Sequence, residues 1–398
     1  MDSVRAHTAN KRILLLAHNW DYLPLMPYHV ALHLSERGYN VSLVLPMEKL
    51  SPRCEVKHVN GNLSLYFCPT MLWGGLKKGS DPLELIYKMF FVGILKYDII
   101  FAFDSRPTVI LPAVFGKLIK RVPLIIDWTD WFGRGGTIEQ RSGLLYRVFF
   151  ERIETFFEEH FRRYGDSSMV ICPALERRLR GLGYTNRIHF FPLGCNHAPE
   201  KRGDGIAIRR RLNVSPDRPL IGCVGSLFPS DADLLFRSFA LVRNKMDAEL
   251  ILIGSNNFGG RYQIPPHTIV TGKVSGEDLT AYVGCCDLMV MPLKNNVANN
   301  GRWPSKLNDY LACGKPVVST KISVVTELLS ISEFGLAAED TPDDFARKIF
   351  DLLSDKERLK SCGDNALRLA SEYLSWPQLM DKLERFMLDT MEAYKEQG

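Results

Sequence analysis

The chain has 398 residues, of which 46% are hydrophobic and 24% charged, with a formal net charge of +5. That length exceeds one ordinary core and predicts two domains, and the composition is that of a globular protein. The mild positive charge comes without a helix-turn-helix, a finger or aromatic-basic interleaving, which excludes a dedicated nucleic-acid binder and leaves an anionic substrate or a membrane surface as its use. Nine cysteines, an odd count without any C-x-x-C pair, predict neither a zinc site nor a disulfide framework. A reducing cytoplasm is the expected location.

The first apolar run, residues 11–17, is too short for a signal or a spanning helix and reads as a buried strand. A polar loop with His18, Asn19 and Asp21 follows, then a helix over 28–37 ended by Gly38, then a strand over 40–45. The longest apolar tract, 86–103, is broken by Lys88, Gly93, Lys96 and Asp98 and reads as a helix followed by a strand over 97–103. A helix over 109–118 and a strand over 123–127 continue the alternation. The helix over 142–163 carries Leu145, Phe149, Ile153, Phe157 and Phe161 at four-residue spacing, with Arg141, Arg147, Arg152, Arg162 and Arg163 around it. Such a stripe reads first as core packing, with a membrane-surface contact as the alternative.

A charged, Gly/Pro-containing stretch near 195–216 marks the joint. The second half repeats the scheme: strands over 219–225, 249–254, 268–272, 287–291 and 316–320, with helices over 231–242, 276–284 and around Asp309. The tail, 376–397, is an amphipathic helix with Leu379, Met380, Leu383, Phe386, Met387 and Met391 on one side, and it needs a surface to cover. This pattern predicts an α/β protein of two doubly wound, Rossmann-like domains, whose ligands sit outside the carboxyl ends of the strands.

Two polar loops lie at such ends. In the first, 299–309, Arg302 and Lys306 precede a short helix that begins after Ser305 and carries Asp309. Cations and helix N–H groups suit a diphosphate, and a carboxylate one turn on suits hydroxyls. In the second, 127–136, Asp127, Trp128, Asp130, Trp131 and Arg134 are interleaved with glycines. Aromatic faces beside acids suit a sugar, while an N-cap and turn over core tryptophans is the structural alternative. The one D-x-D, Asp231 with Asp233, starts a helix and reads as capping rather than as a metal site.

Several of these segments resemble the GT-B glycosyltransferases, in particular glycosyltransferase family 4 (the group 1 transferases). The resemblance is carried by Val224-Gly225-Ser226, by 274–279 (VSGEDL), by 287–292 (DLMVMP) and by 312–318 (ACGKPVV). In the first half, 27–41 and 190–196 add to it. It implies two Rossmann-like domains facing a cleft, with an acceptor domain over 1–198, a donor domain over 199–374 and a final helix, 375–398, crossing back to the first. It also implies a nucleotide-diphosphate sugar as co-substrate, a glycan, lipid-linked or small-molecule acceptor, retention of configuration, and neither a cofactor nor an obligatory metal. Carried onto this sequence, the donor residues are Gly225, Ser226, Gly254, Lys273, Val274, Asn300, Arg302, Ser305, Lys306, Leu307 and Asp309. Catalysis falls to Asp130, Asp127 and Lys306, and acceptor contacts to His18, Asn19, Asp21, Trp128, Trp131 and Arg134.

Two departures stand out. Gly301, with Asn300 beside it, occupies the place of the family's first glutamate, and Asp309 that of the second. The cations usual after Val224-Gly225 are replaced by Ser226 and by Asp231 and Asp233, whose carboxylates repel a diphosphate if they point at it. The alternatives are therefore a catalytically weak GT-B binding or scaffold protein, and an epimerase or phosphorylase on the same fold. A nicotinamide oxidoreductase is excluded, because no G-x-G-x-x-G follows either first strand.

Overall fold

A computed structural model describes residues 11–19, 25–72, 79–138, 143–195, 205–225, 227–254 and 263–397. The chain divides into two compact units, Met1–Pro192 with Trp376–Gly398, and Leu193–Ser375.

The first unit holds strands β1 (Arg12–Ala17), β2 (Asn40–Pro46), β3 (Glu55–Asn60), β4 (Leu63–Cys68), β5 (Ile99–Phe103), β6 (Leu124–Trp128), β7 (Ser167–Val170) and β8 (Arg187–Phe190). They form one sheet in the order β3-β4-β2-β1-β5-β6-β7-β8. Every pairing is parallel except β3 with β4. The apolar runs of β1, β5 and β6 are buried along nearly their whole length, as expected for strands covered on both faces. The chain leaves β1 in one direction, to β2, and later returns to its other side as β5. The carboxyl ends of β1 and β5 thus form the topological switch point, where a doubly wound sheet opens a crevice.

A buried ion pair fixes that end of β1. Lys88, on the helix Pro82–Ile94, lies 2.6 Å from Glu84 and donates to the carbonyl of Ala17 at 2.6 Å. The helix is held by its N-cap, Asp81, which accepts from Leu83 and Glu84 N–H and, through its other oxygen, from Met71 and Leu72 N–H.

The tail helix, Trp376–Gln397, belongs to this unit. Trp376 stacks on His29 of the helix Met26–Glu36, with ring centroids 4.8 Å apart. Glu384 accepts from the Tyr39 hydroxyl at 2.7 Å and from Arg37 at 2.6 Å. Leu379, Met380, Leu383, Met387 and Met391 are buried, so the amphipathic stripe finds its surface here.

The second unit holds β9 (Leu220–Val224), β10 (Glu249–Ile253), β11 (Thr268–Val270), β12 (Leu288–Met291), β13 (Val317–Thr320) and β14 (Gly335–Ala338). The order is β11-β10-β9-β12-β13-β14, parallel throughout. Its core joins Ile221, Leu250, Leu252 and Val290 of the sheet to Phe239 of the helix Pro229–Arg243 and to Phe345 and Ile349 of Pro342–Ser354. All nine cysteines are free. No helix among the described residues is long and apolar enough to cross a membrane.

Candidate functional site

In the second unit the carboxyl edge of the sheet is opened by glycine. Gly225 follows β9 at φ +87° and Gly254 follows β10 at φ +122°, both in the left-handed region that side chains rarely adopt. Gly225 N–H donates to the Ile253 carbonyl at 2.8 Å, so the two backbones run side by side. A Cβ on Gly225 would meet nothing within 4 Å. Ser226 lies outside the described residues.

The loop after β12 is tied together by its own asparagines. Asn299 donates to the Lys294 carbonyl at 2.8 Å and accepts from Arg302. Asn300 donates to Asn295 at 2.7 Å and to the Asn296 carbonyl at 2.9 Å, while its side-chain oxygen accepts from Ser323 N–H. These amides hold backbone and neighbours in place.

The helix Lys306–Ala312 then begins, only seven residues long, with Ser305 exposed and making no side-chain cap. Leu307 is fully buried under it. The Tyr310 hydroxyl accepts from Val224 N–H at 2.8 Å, which joins the helix to the end of β9. Asp309 is half-buried. Together with burial, it pushes the Cys195 thiol up to about 12, burial being the larger cause. Lys273 is exposed and Val274 half-buried. Lys306 is half-buried, and its amine has no hydrogen bond or ion pair among the described residues.

Asp231 interacts electrostatically with this cation. It is buried and accepts from Lys294 N–H at 3.2 Å and from Ser230. Desolvation raises its pKa, against the lowering pull of the Lys294 N–H, then Lys306, Ser230 and Arg302. Its carboxylate reaches across to the 294 backbone, so it does not serve as the N-cap of its own helix, a position occupied by Phe228. Asp233 is exposed beside Arg237, at 3.6 Å. The two carboxylates of the D-x-D therefore go to different partners.

In the first unit the carboxyl edge is packed with charge. His18, after β1, lies with Nδ1 3.4 Å from an oxygen of Asp104, which follows β5. Asp104 has φ +98°, outside the usual range of a side-chain-bearing residue, and such strain concentrates at functional positions. At the end of β6, Asp127 is buried and neither carboxylate oxygen has a hydrogen-bond partner among the described residues. Desolvation pushes its pKa up to about 8; Arg162 pulls it down, Asp104 and Asp130 raise it, and the Trp128 N–H lies near but outside hydrogen-bond geometry. Arg162 is buried with its guanidinium 3.9 Å from the centre of the Trp128 ring, and it donates to the Asp127 carbonyl at 3.1 Å and to Ser105 at 3.2 Å. Burial lowers its pKa to about 10, so it stays cationic at neutral pH.

Glu158 organises the loop above. Its two oxygens accept from Trp128 Nε1 at 2.9 Å, from Phe132 N–H at 2.9 Å and from Gly133 N–H at 2.7 Å. Trp128 is thus a buried support with Arg162 over its ring, and it offers no face for a sugar to stack on. Trp131 is half-buried with the Arg178 guanidinium 3.8 Å from its ring centre. Asp130 and Asn19 are half-buried, Arg134 is exposed 3.7 Å from Glu151, and Asp21 lies outside the described residues.

Residues 218–355 match the family described as Glycosyl transferases group 1. The second unit carries a group 1 glycosyl transferase domain. A putative teichuronic acid biosynthesis glycosyltransferase, TuaH of Bacillus subtilis, is 26% identical over 144 residues, 33% of this chain and 36% of that protein. The chain spans about a third of the length of the curated relatives it matches. Among solved structures, sucrose-phosphate synthase from Thermosynechococcus elongatus superimposes with a TM-score of 0.73 at 14% identity, covering 96% of this chain and 100% of that one. Anabaena HepE in complex with UDP and glucose gives 0.67 at 16%, covering 95% and 100%. The chain shares the GT-B fold of two Rossmann-like domains with them.

The glycosyl transferase domain contains the loop of Arg302, Lys306 and Asp309, which sequence reasoning singled out. It contains none of Asp104, Glu158 or Arg162, which that reasoning passed over as site residues. Asp104 had a signal: it stands directly after a buried strand and three residues before Pro107, the position of a carboxyl-edge residue. Arg162, one of the arginines around the apolar stripe of 142–163, is buried against Trp128.

Proposed function

We propose that the protein is a glycosyltransferase that moves a sugar from a nucleotide-diphosphate donor held on the second unit to an acceptor held on the first. The observation that carries this reading is Lys306: a half-buried amine without a hydrogen bond or ion pair among the described residues, on a helix bonded to the end of β9 beneath Gly225, inside the matched family segment. A diphosphate brings about two negative charges, and departure of the leaving group adds more in the transition state. Lys306, supported by Arg302, supplies the stabilising charge; Gly225 and Gly254 let the phosphates approach backbone; Asp309 accepts from the ribose hydroxyls. HepE was solved with UDP and glucose, which makes UDP the first nucleotide to test.

On the acceptor side, Asp130 orients the incoming hydroxyl. Asp127, buried beneath it, acts by position and by holding a proton rather than by contact. The transfer is proposed to retain configuration, with the leaving phosphate taking the acceptor proton, and to need no metal, in keeping with the divergent partners of Asp231 and Asp233. A screen of UDP-, GDP- and ADP-sugars for donor hydrolysis tests the reading. Turnover of at least one donor is expected, and binding of none of these nucleotides by calorimetry ends it. A second reading, donor binding without turnover, is favoured by Gly301 and by the occupied amides of Asn299 and Asn300; nucleotide affinity without hydrolysis of any donor would select it.

A further inference from the structure

The first unit leaves an apolar layer uncovered. The helices Pro82–Ile94, Pro107–Lys120 and Leu144–His160 link β4 to β5, β5 to β6 and β6 to β7. All three crossings run the same way along the sheet, so right-handed connection places them on one face. Met26–Glu36, which crosses the opposite way from β1 to β2, lies on the other face with the tail helix. Contacts agree: Gly116 lies against Val92, and Arg106, before the second helix, donates to Glu154 of the third. The inner sides of the first two feed the core through Val92, Val109 and Ala113.

Their outer sides lack the polar surface of an ordinary amphipathic helix. Ile86, Phe90 and Ile94, one turn apart, are 64%, 57% and 57% exposed. Leu118 on the second helix is 66% exposed, and Val148 and Phe156 on the third are 64% and 50% exposed. The charge of the layer has one sign. Among the described residues of 79–121 and 148–164, those both charged and exposed are Lys96, Lys120, Arg121, Arg152 and Arg163. The carboxylates there are buried or engaged, as with Glu84 on Lys88, Glu154 on Arg106 and Glu159 on Arg178.

Exposed apolar surface of this extent marks an interaction face, and apolar side chains among exposed cations suit anionic lipid. A two-fold contact between copies would instead bring the same cations together, which like-charge repulsion opposes. We propose that this face docks the protein on an anionic lipid bilayer, the apolar side chains entering the boundary between headgroups and acyl chains and the lysines and arginines meeting the headgroups. The docking stands independently of the proposed transfer reaction and is read without turnover.

Sedimentation of the full chain with vesicles of phosphatidylcholine, with and without phosphatidylglycerol, tests it. The protein is expected to pellet with the anionic vesicles and to be released as salt rises. The triple variant Ile86→Gln, Phe90→Gln, Leu118→Gln changes only exposed positions, and is expected to bind at least about tenfold more weakly with the parent's thermal unfolding. Lys96→Glu with Lys120→Glu is expected to abolish the preference for anionic vesicles. Three results would overturn the proposal: no pelleting with anionic vesicles, parent-like binding by the triple variant, or a vesicle-free dimer that the triple variant dissociates.

Discussion

The two sheets present their carboxyl edges in opposite states. In the second unit, glycines at left-handed φ clear the space, and the Lys306 amine has no hydrogen bond or ion pair among the described residues. In the first, Asp104, Asp127, Glu158 and Arg162 are withdrawn from water, and Glu158 and Arg162 bond to the backbone of the 127–133 segment. An edge built the first way can receive a charged ligand; one built the second way holds a loop rigid so that its half-buried members, Asp130 above all, stand in a fixed place. Polar residues at a strand end therefore point to a ligand only when the loop itself has not taken up their hydrogen bonds.

The comparison is broken most strongly at Glu158. Glu158→Ala strands the Phe132 and Gly133 N–H donors and leaves Arg162 buried without the carboxylate that interacts with it most strongly, an expected loss of about 3–5 kcal/mol in urea denaturation. A loss below about 1 kcal/mol would make the first edge as loosely held as a surface pair. Asp127→Asn sharpens the same contrast through pH. The folded pKa, about 8, lies above the ordinary 3.8, so the folded state keeps a proton that the unfolded state releases. The parent therefore loses stability as pH rises between those values, and the asparagine variant, which does not titrate, gains on it over that window and levels off above it. Parallel stability curves would show that Asp127 is not desolvated.

At the second edge, Lys306→Ala removes a charge-assisted hydrogen bond of about 1.5–3 kcal/mol, roughly ten- to a hundredfold in donor affinity or rate. The fold should survive, since the amine supports no other described residue. Normal turnover by the folded variant would remove Lys306 from the site. The smallest effect is expected for Tyr310→Phe. Losing its bond to Val224 N–H costs about 1–3 kcal/mol in thermal or chemical unfolding, and equal stability of the two proteins would detach the helix from the edge of β9.

The sequence made the second unit's inner strands plain, because runs such as 250–253 and 288–291 are apolar and buried throughout. It did not show β3, whose Glu-Val-Lys-His-Val-Asn is mostly exposed at a sheet edge and pairs antiparallel with β4. It hid β7 as well, where Ser167 and Ser168 are buried because their hydroxyls bond to Thr390 and to the Ile126 carbonyl. In β14, Gly335 fits only because a Cβ would collide with the Val317 carbonyl oxygen, a contact with no local signature. The site divides the same way. Arg302, Lys306 and Asp309 stand together in the chain and were legible. Arg162 reaches the Asp127 carbonyl across 35 residues, and only folding brings them together.

The clasp between Trp376, Glu384 and the helix Met26–Glu36 has a consequence for the order in which the protein is made. The first unit is discontinuous: its last element, from Trp376 onward, is synthesised after the whole of Leu193–Ser375. At about 5–20 residues per second, translating that segment takes roughly ten to forty seconds. Throughout that interval His29, Tyr39 and Arg37 wait without the partners that later cover them. Of the two units, the one started first is completed last.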